Sequence, residues 1–170
     1  MGLLAAGLRR GGLPSLEILG LYAAHIGPQG ATALAPALNK RALPLLESLS
    51  LGCNEIGDAG MTALAPALRQ LPKLKRLGLC GTRIGSRGLA ALLAPPTERV
   101  LRSLEMLDLR SNQIADDGLA TFASALGSGG LPALKILYVN DNPASKEARV
   151  ALRDQARARR EDFYVAITLN

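Results

Sequence analysis

Few side chains in this 170-residue chain are of a type that could do chemistry. His25 is the sole histidine. A catalytic imidazole needs a nucleophile and an orienting acid beside it, and a zinc site needs further ligands. Its slot in a recurring pattern is filled elsewhere by Glu55, Arg83, Gln113 and Pro143, which marks an exposed turn. Cys53 and Cys80 are the only thiols. Two thiols without companions make a poor metal site, so plain surface or half-buried thiols are expected, with no cofactor and no metal. Asp116 and Asp117 form an acidic pair, but Asp116 falls where a helix begins, and N-capping is the stronger account. Arg149, Arg153 and Arg157 are four apart and form one helical stripe, a candidate anion site for phosphate or an acidic membrane. A solvated helix face is its default reading. No aromatic platform accompanies the charge, so nucleic acid is not an expected partner.

The elements that carry these residues come from a repeat. LEILGLYAAHIGPQGATALAPAL begins at Leu16, LESLSLGCNEIGDAGMTALAPAL at Leu46, LKRLGLCGTRIGSRGLAALLA at Leu74 and LEMLDLRSNQIADDGLATFASAL at Leu104. A worn copy, LKILYVNDNP, begins at Leu134. The intervals are 30, 28, 30 and 30 residues, the signature of a solenoid. Counting from each first Leu, positions 1, 4 and 6 are apolar. Positions 4 and 6 share one face of a short strand, and stacked copies give a parallel sheet. Position 9 is Asn54, Asn112 and Asn142, with Thr82 and Ala24 in the other copies. A buried Asn at a strand end can satisfy backbone groups of its own turn and of its neighbour's. Thr can do part of this and Ala cannot, so the first repeat is expected to be the least firmly tied.

Position 11 is Ile26, Ile56, Ile84 and Ile114, a core contact. Position 13 is Pro28, Asp58, Ser86 and Asp116, which reads as a helix start with Asp or Ser as N-cap and Pro at the first helical position. Position 15 is Gly30, Gly60, Gly88 and Gly118. Glycine in a helix costs about 1 kcal/mol against Ala, so its recurrence implies a helix start close against the sheet. Positions 16, 19 and 23 form the inward helix face. Pro36 and Pro66 predict kinked or shortened helices, and Pro95 and Pro96 an early end to the third. Helices wider than strands bend the stack, with strands lining the inside. The expected fold class is therefore α/β, a right-handed horseshoe arc with a parallel sheet on the concave side and helices on the convex side. Its parts are a partial N-terminal repeat over 1–15, repeats over 16–144, and a basic helix with a capping strand (FYVAITL) over 145–170.

Composition fits one soluble domain, with 48% apolar and 20% charged residues. The formal charge is +6, of which residues 146–160 contribute +4. That balance favours an acidic partner. Two cysteines are no disulfide framework, and a reducing, cytoplasmic setting is expected. MGLLAAGLRR has no charged region ahead of its apolar stretch and is too short to span a membrane, so no membrane association is expected. Ala6 breaks the myristoylation pattern. The chain opens inside a repeat, so edge-to-edge self-association at its N-terminus is an expectation.

A partner would meet positions 3, 5, 7 and 8. The middle of that face is nearly bare, with Ser48, Ser50, Gly52 and Gly78. Anchors concentrate in the later repeats, and the candidate partner-binding residues are Arg76, Met106, Asp108, Arg110, Tyr138 and Asp141.

The phrase LxxLxLxxNxIGDxGxxxLAxAL resembles leucine-rich repeats. The period and the helical half-repeat resemble the ribonuclease-inhibitor-like subfamily, over about residues 3–160. The resemblance implies a protein-binding module without enzymatic activity, acting through the concave face or its rim. It also raises two alternatives: a Ran-type GTPase-activating regulator, and a sensing fragment of ribonuclease-inhibitor or NOD-like-receptor type. The matching residues are scaffold. The chain is basic where ribonuclease inhibitors are acidic, and it carries neither the acidic tail of the Ran activators nor the GxxxxGK[ST] loop of a nucleotide-binding domain.

Overall fold

Leu19, Leu49, Leu77, Leu107 and Leu137 stand side by side as consecutive Cα partners across five parallel strands. The computed structural model describes residues 6–7, 13–39, 42–94, 101–159 and 163–166. Its strands are β1 (Ile18–Gly20), β2 (Ser48–Ser50), β3 (Arg76–Gly78), β4 (Met106–Asp108), β5 (Ile136–Tyr138) and β6 (Tyr164–Ala166), in one sheet in chain order. Between them run α1 (Pro28–Leu34, then a 3₁₀ turn over Ala35–Ala37), α2 (Gly57–Leu68), α3 (Ser86–Leu93), α4 (Asp116–Gly127) and α5 (Lys146–Arg159). This is the α/β solenoid that the repeat predicts. The final strand pairs with β5 through Leu137 and Val165; residues 167–169 of the expected segment lie outside the described residues, as does most of the partial repeat over 1–15.

The core is the repeat pattern itself. In the second copy Leu46, Leu49, Leu51, Ile56, Met61, Leu64 and Leu68 are all at most 1% exposed. A Leu taken fully from water contributes about 1.5–3 kcal/mol, so the column is the main driving force. In the first copy Leu16 and Leu19 are only partly buried, consistent with its weaker position in the array.

The buried asparagines tie the copies together as their chemistry suggests. Asn54 Nδ2 donates to the Leu21 carbonyl of the first repeat and to its own Leu51 carbonyl, while its Oδ1 accepts from Ile26 N–H. Asn112 and Asn142 repeat the pattern two and three copies further on. Thr82 does part of it: its hydroxyl donates to its own Leu79 carbonyl but makes no bond back into the second repeat. There the link passes through backbone, from Gly57 N–H to the Thr82 carbonyl, with Gly57 at φ 60°.

Position 13 behaves differently from expectation. Asp58, Ser86 and Asp116 do not cap their own helices. The N-caps are Ile56, Gly85 and Ala115, which have no side-chain cap bond. Each helix starts early enough that position 13 is already helical, so its side chain reaches the open N–H groups of the next helix. Asp58 Oδ1 accepts from Gly85 N–H (2.7 Å) and Gly88 N–H (2.8 Å). Ser86 Oγ accepts from Ala115 N–H, and Asp116 Oδ1 from Ser145 N–H. Pro28, by contrast, is the first helical residue as expected.

This relay also explains the glycines of position 15, which press on the preceding helix rather than on the sheet. A Cβ on Gly88 would lie 2.6 Å from Asp58 Oδ1, and one on Gly118 would lie 2.7 Å from Ser86 Oγ. Both would also strike their own repeat's Ile.

The prolines act unequally. At Pro36 the helix gives way to 3₁₀ geometry, as expected. Helix α2 is not shortened: it runs its full 12 residues through Pro66. Pro66 is exposed and two residues from the helix end, so it removes one bond on the solvent side, and Arg69 N–H still closes on the Ala65 carbonyl. Helix α3 stops at Leu93, and Ala94 is extended (φ −85°, ψ 147°), the conformation that a following proline imposes. Pro95 and Pro96 themselves are outside the described residues.

Two outcomes follow from this packing. Gly88→Ala is expected to lower stability by about 1–3 kcal/mol through the forced shift of Asp58. Gly27→Ala, with nothing within 4 Å and φ −83°, should leave it within about 0.5 kcal/mol; urea unfolding of the two variants checks the contrast. The Ser145 amide holds Asp116 below the ordinary carboxylate range, with a smaller pull from Arg149. A folded-state pKa below the unfolded one stabilises the fold above roughly pH 4, and this is lost as pH falls through the folded value. The stability difference between wild type and Asp116→Asn should therefore be constant above about pH 5 and shrink below pH 4, as measured by unfolding across pH.

Candidate functional site

Strand register arranges the concave side chains in rows that cross the sheet. Position 3 gives Ile18, Ser48, Arg76, Met106, Ile136 and, from the last strand, Tyr164. Position 5 gives Gly20, Ser50, Gly78, Asp108, Tyr138 and Ala166. Position 7, just past each strand, gives Tyr22, Gly52, Cys80, Arg110 and Asn140.

The later strands bring four side chains together. Arg110 grips Asp108 with two parallel bonds, Nε to Oδ1 at 2.9 Å and Nη2 to Oδ2 at 2.6 Å. Its guanidinium carbon lies 4.9 Å from the centroid of the Tyr138 ring. The Tyr138 and Tyr164 rings meet edge to face, 6.3 Å apart at 72°. A bidentate pair adds geometric specificity, and each ring contact contributes about 0.5–1.5 kcal/mol, so the cluster is held in place before any partner arrives. Asp108 also holds the Arg110 proton more firmly than in a free guanidinium, first through the hydrogen bond and then through its charge.

Of the sequence candidates, Asp108, Arg110 and Tyr138 therefore touch one another. Met106 and Arg76 lie in the adjoining row, Met106 half-buried and Arg76 exposed. Asp141 stands on the rim. It has φ 56°, like Cys53 (54°) and Ser111 (53°) at the same position of their repeats, and Ser111 Oγ approaches its carboxylate at 3.5 Å. Asp tolerates this left-handed turn better than most residues, which accounts for its type there. Tyr164 and Ile136 belong to the patch but are absent from the sequence candidates. Aligning YVA (164–166) as a sixth copy of the strand would have placed Tyr164 in the position 3 row.

At the other end Tyr22 is 63% exposed and Ile18 is 65% exposed. The Tyr22 ring lies across Gly52, where a Cβ would come within 3.1 Å of it, and its hydroxyl oxygen accepts from Cys53 Sγ at 2.8 Å. Cys53 raises the Tyr22 pKa, first where its sulfur instead accepts the phenol proton and then through its negative charge. Cys80 is partly buried, and burial, then the Asp108 carboxylate, push its thiol up. His25 occupies an exposed left-handed turn (φ 54°). Among the described residues no group of three or more His, Cys, Asp or Glu side chains could share a metal ion, and no helix is long and apolar enough to cross a membrane.

The arginine stripe lies in the helical layer, on α5. Arg149 Nε donates to the Ser145 carbonyl, and Arg153 pairs with Asp154 at 3.0 Å. Arg157 is exposed. Arg159, a residue outside the stripe, fastens α5 to the loop between α4 and β5 through the Gly130 carbonyl at 2.7 Å.

With this geometry in view, comparison with known proteins agrees on the architecture. A leucine-rich-repeat family model matches residues 42–65 and 100–123. No curated protein matches the sequence. Among solved structures, actin-binding site 2 of leiomodin-1 superposes with a TM-score of 0.72 over 92% of this chain and 87% of that one, at 13% identity. The fold is a leucine-rich-repeat solenoid.

The Cys80 environment gives a direct readout of the cluster. In a Cys53→Ser background, Asp108→Asn removes the charge that disfavours the thiolate while leaving Arg110 nearby. Iodoacetamide should then alkylate Cys80 several-fold faster at pH 8, followed by mass spectrometry.

Proposed function

We propose that this chain is a protein-binding module without catalytic activity, and that its partner seats on the concave face around Asp108, Arg110, Tyr138 and Tyr164. The single observation that carries this reading is the pre-ordered cluster: a guanidinium fixed between a carboxylate and an aromatic ring, beside a second exposed ring. Arg and Tyr are the side chains that most often dominate binding energy, and they do so best when little ordering remains to be done on contact. The period of 28–30 residues and the helix in each copy support a place near the ribonuclease-inhibitor-like subfamily. Leiomodin-1, whose matching region is an actin-binding site, supports contact as the use of such a surface; at this identity it says nothing of which partner this chain takes.

Proteins captured by the wild-type chain after reversible cross-linking should be lost, with about 10-fold or greater weakening, when Arg110 and Tyr138 are both changed to Ala. Circular dichroism and urea unfolding verify that the variant is folded. Retention of every captured protein by the folded double variant would sink the assignment of this face.

A further inference from the structure

The position 3 row has a chemistry of its own. It runs Arg76, Met106, Ile136, Tyr164 across four neighbouring strands. Met106 and Ile136 are half-buried and Tyr164 is 58% exposed, so three consecutive apolar side chains present surface to solvent. Beside them Asp108 and Arg110 neutralise each other. Arg76 is exposed and forms no salt bridge among the described residues. The row is thus an apolar strip with an exposed guanidinium at one end that is tied into no salt bridge among the described residues and feels only the more distant charge of Glu47.

Its spacing selects the shape of what can lie on it. Neighbouring strands are about 4.8 Å apart, so Arg76 and Tyr164 are separated by about 14 Å along the row. An α-helix laid across the strands advances about 5.4 Å per turn and presents one side chain per turn on its contact face, so residues i, i+4, i+7 and i+11 meet four successive strands with about 2 Å of accumulated drift. An extended chain places same-face side chains about 6.7 Å apart and falls out of step by about 2 Å at every strand.

We infer that the partner segment is an amphipathic helix lying across β3–β6, with three apolar side chains on Tyr164, Ile136 and Met106 and an acidic side chain at Arg76. This rests on the binding face proposed above and specifies what that face receives. The small side chains of Ser48, Ser50 and Gly78 leave room for the helix to continue past Arg76. An acidic terminal residue and an apolar body complement the row's charge and its strip. Recognition is then mostly apolar, with one screened ion pair, so salt should weaken it only a few-fold.

The test uses stapled 16-residue Ala/Gln helices with Leu at three consecutive contact positions and Glu at the fourth, made in both polarities. Binding is read from the Met106 ε-methyl and Ile136 δ1-methyl signals by NMR. At least one polarity should shift both methyls. The same helix with its Leu residues dispersed around all faces, and a proline-rich extended peptide bearing the same Glu and Leu residues, should bind at least 10-fold more weakly. Arg76→Glu, on an exposed position, should weaken the Glu helix about 10-fold and favour a Lys-headed version. Equal binding of the dispersed helix, shifts produced by the extended peptide alone, or an unchanged charge preference in Arg76→Glu would overturn the inference. Partner capture through Arg110 and Tyr138 is measured separately. A face that captures its partner and ignores the helix series therefore sinks this inference alone, whereas capture indifferent to those two residues removes the face itself.

Discussion

A repeat of this kind cannot satisfy its own backbone. Each turn after a strand leaves carbonyls and N–H groups inside the stack, and each helix begins with open N–H groups. The chain meets both demands with side chains borrowed from a neighbour. Asn112 alone accepts from Thr82 N–H and Ile84 N–H and donates to the Leu79 and Leu109 carbonyls, bridging two copies at 7% exposure. Asp58, Ser86 and Asp116 close the helix starts. Among the described residues no buried side-chain nitrogen or oxygen lacks a partner. Everything else, including the straight rows on the concave face, depends on this mutual satisfaction, because it fixes one copy's height against the next.

Strand register and core were legible because they depend on residue type at a fixed period. Leu at positions 1, 4 and 6 and Ile at position 11 leave one way to stack, and the pairing of Leu19 through Leu137 follows. The role of position 13 was not legible. Asp and Ser at a helix start signal a cap, but spacing within one copy does not reveal which helix receives it. The answer depends on the offset between neighbouring helices, a property of the stack. The position 15 glycines carried the same ambiguity: their close neighbour was foreseeable, its identity was not.

The binding face was half legible for a related reason. Alternation along a strand shows which side chains leave the core, and so named Met106, Asp108, Arg110 and Tyr138. It does not show which of them touch. The grip of Arg110 on Asp108, and the edge of Tyr164 against Tyr138, arise between positions and between strands. Tyr164 escaped because its strand follows a helix of different composition and lacks the leucine signature. The basic surplus, so visible as a total, sits largely on α5 and away from the aromatic cluster; the Arg153 and Arg159 side chains there already engage an acid and a carbonyl.

The two kinds of borrowed bond point in opposite directions along the chain. Asparagines reach back to the copy already made, and the carboxylates and Ser86 reach forward to the one still to come. On a ribosome, the third, fourth and fifth helices would each find a cap waiting as they emerge, while the turn just completed stays unsatisfied until its successor arrives. Growth of the array in chain order would thereby be ratcheted.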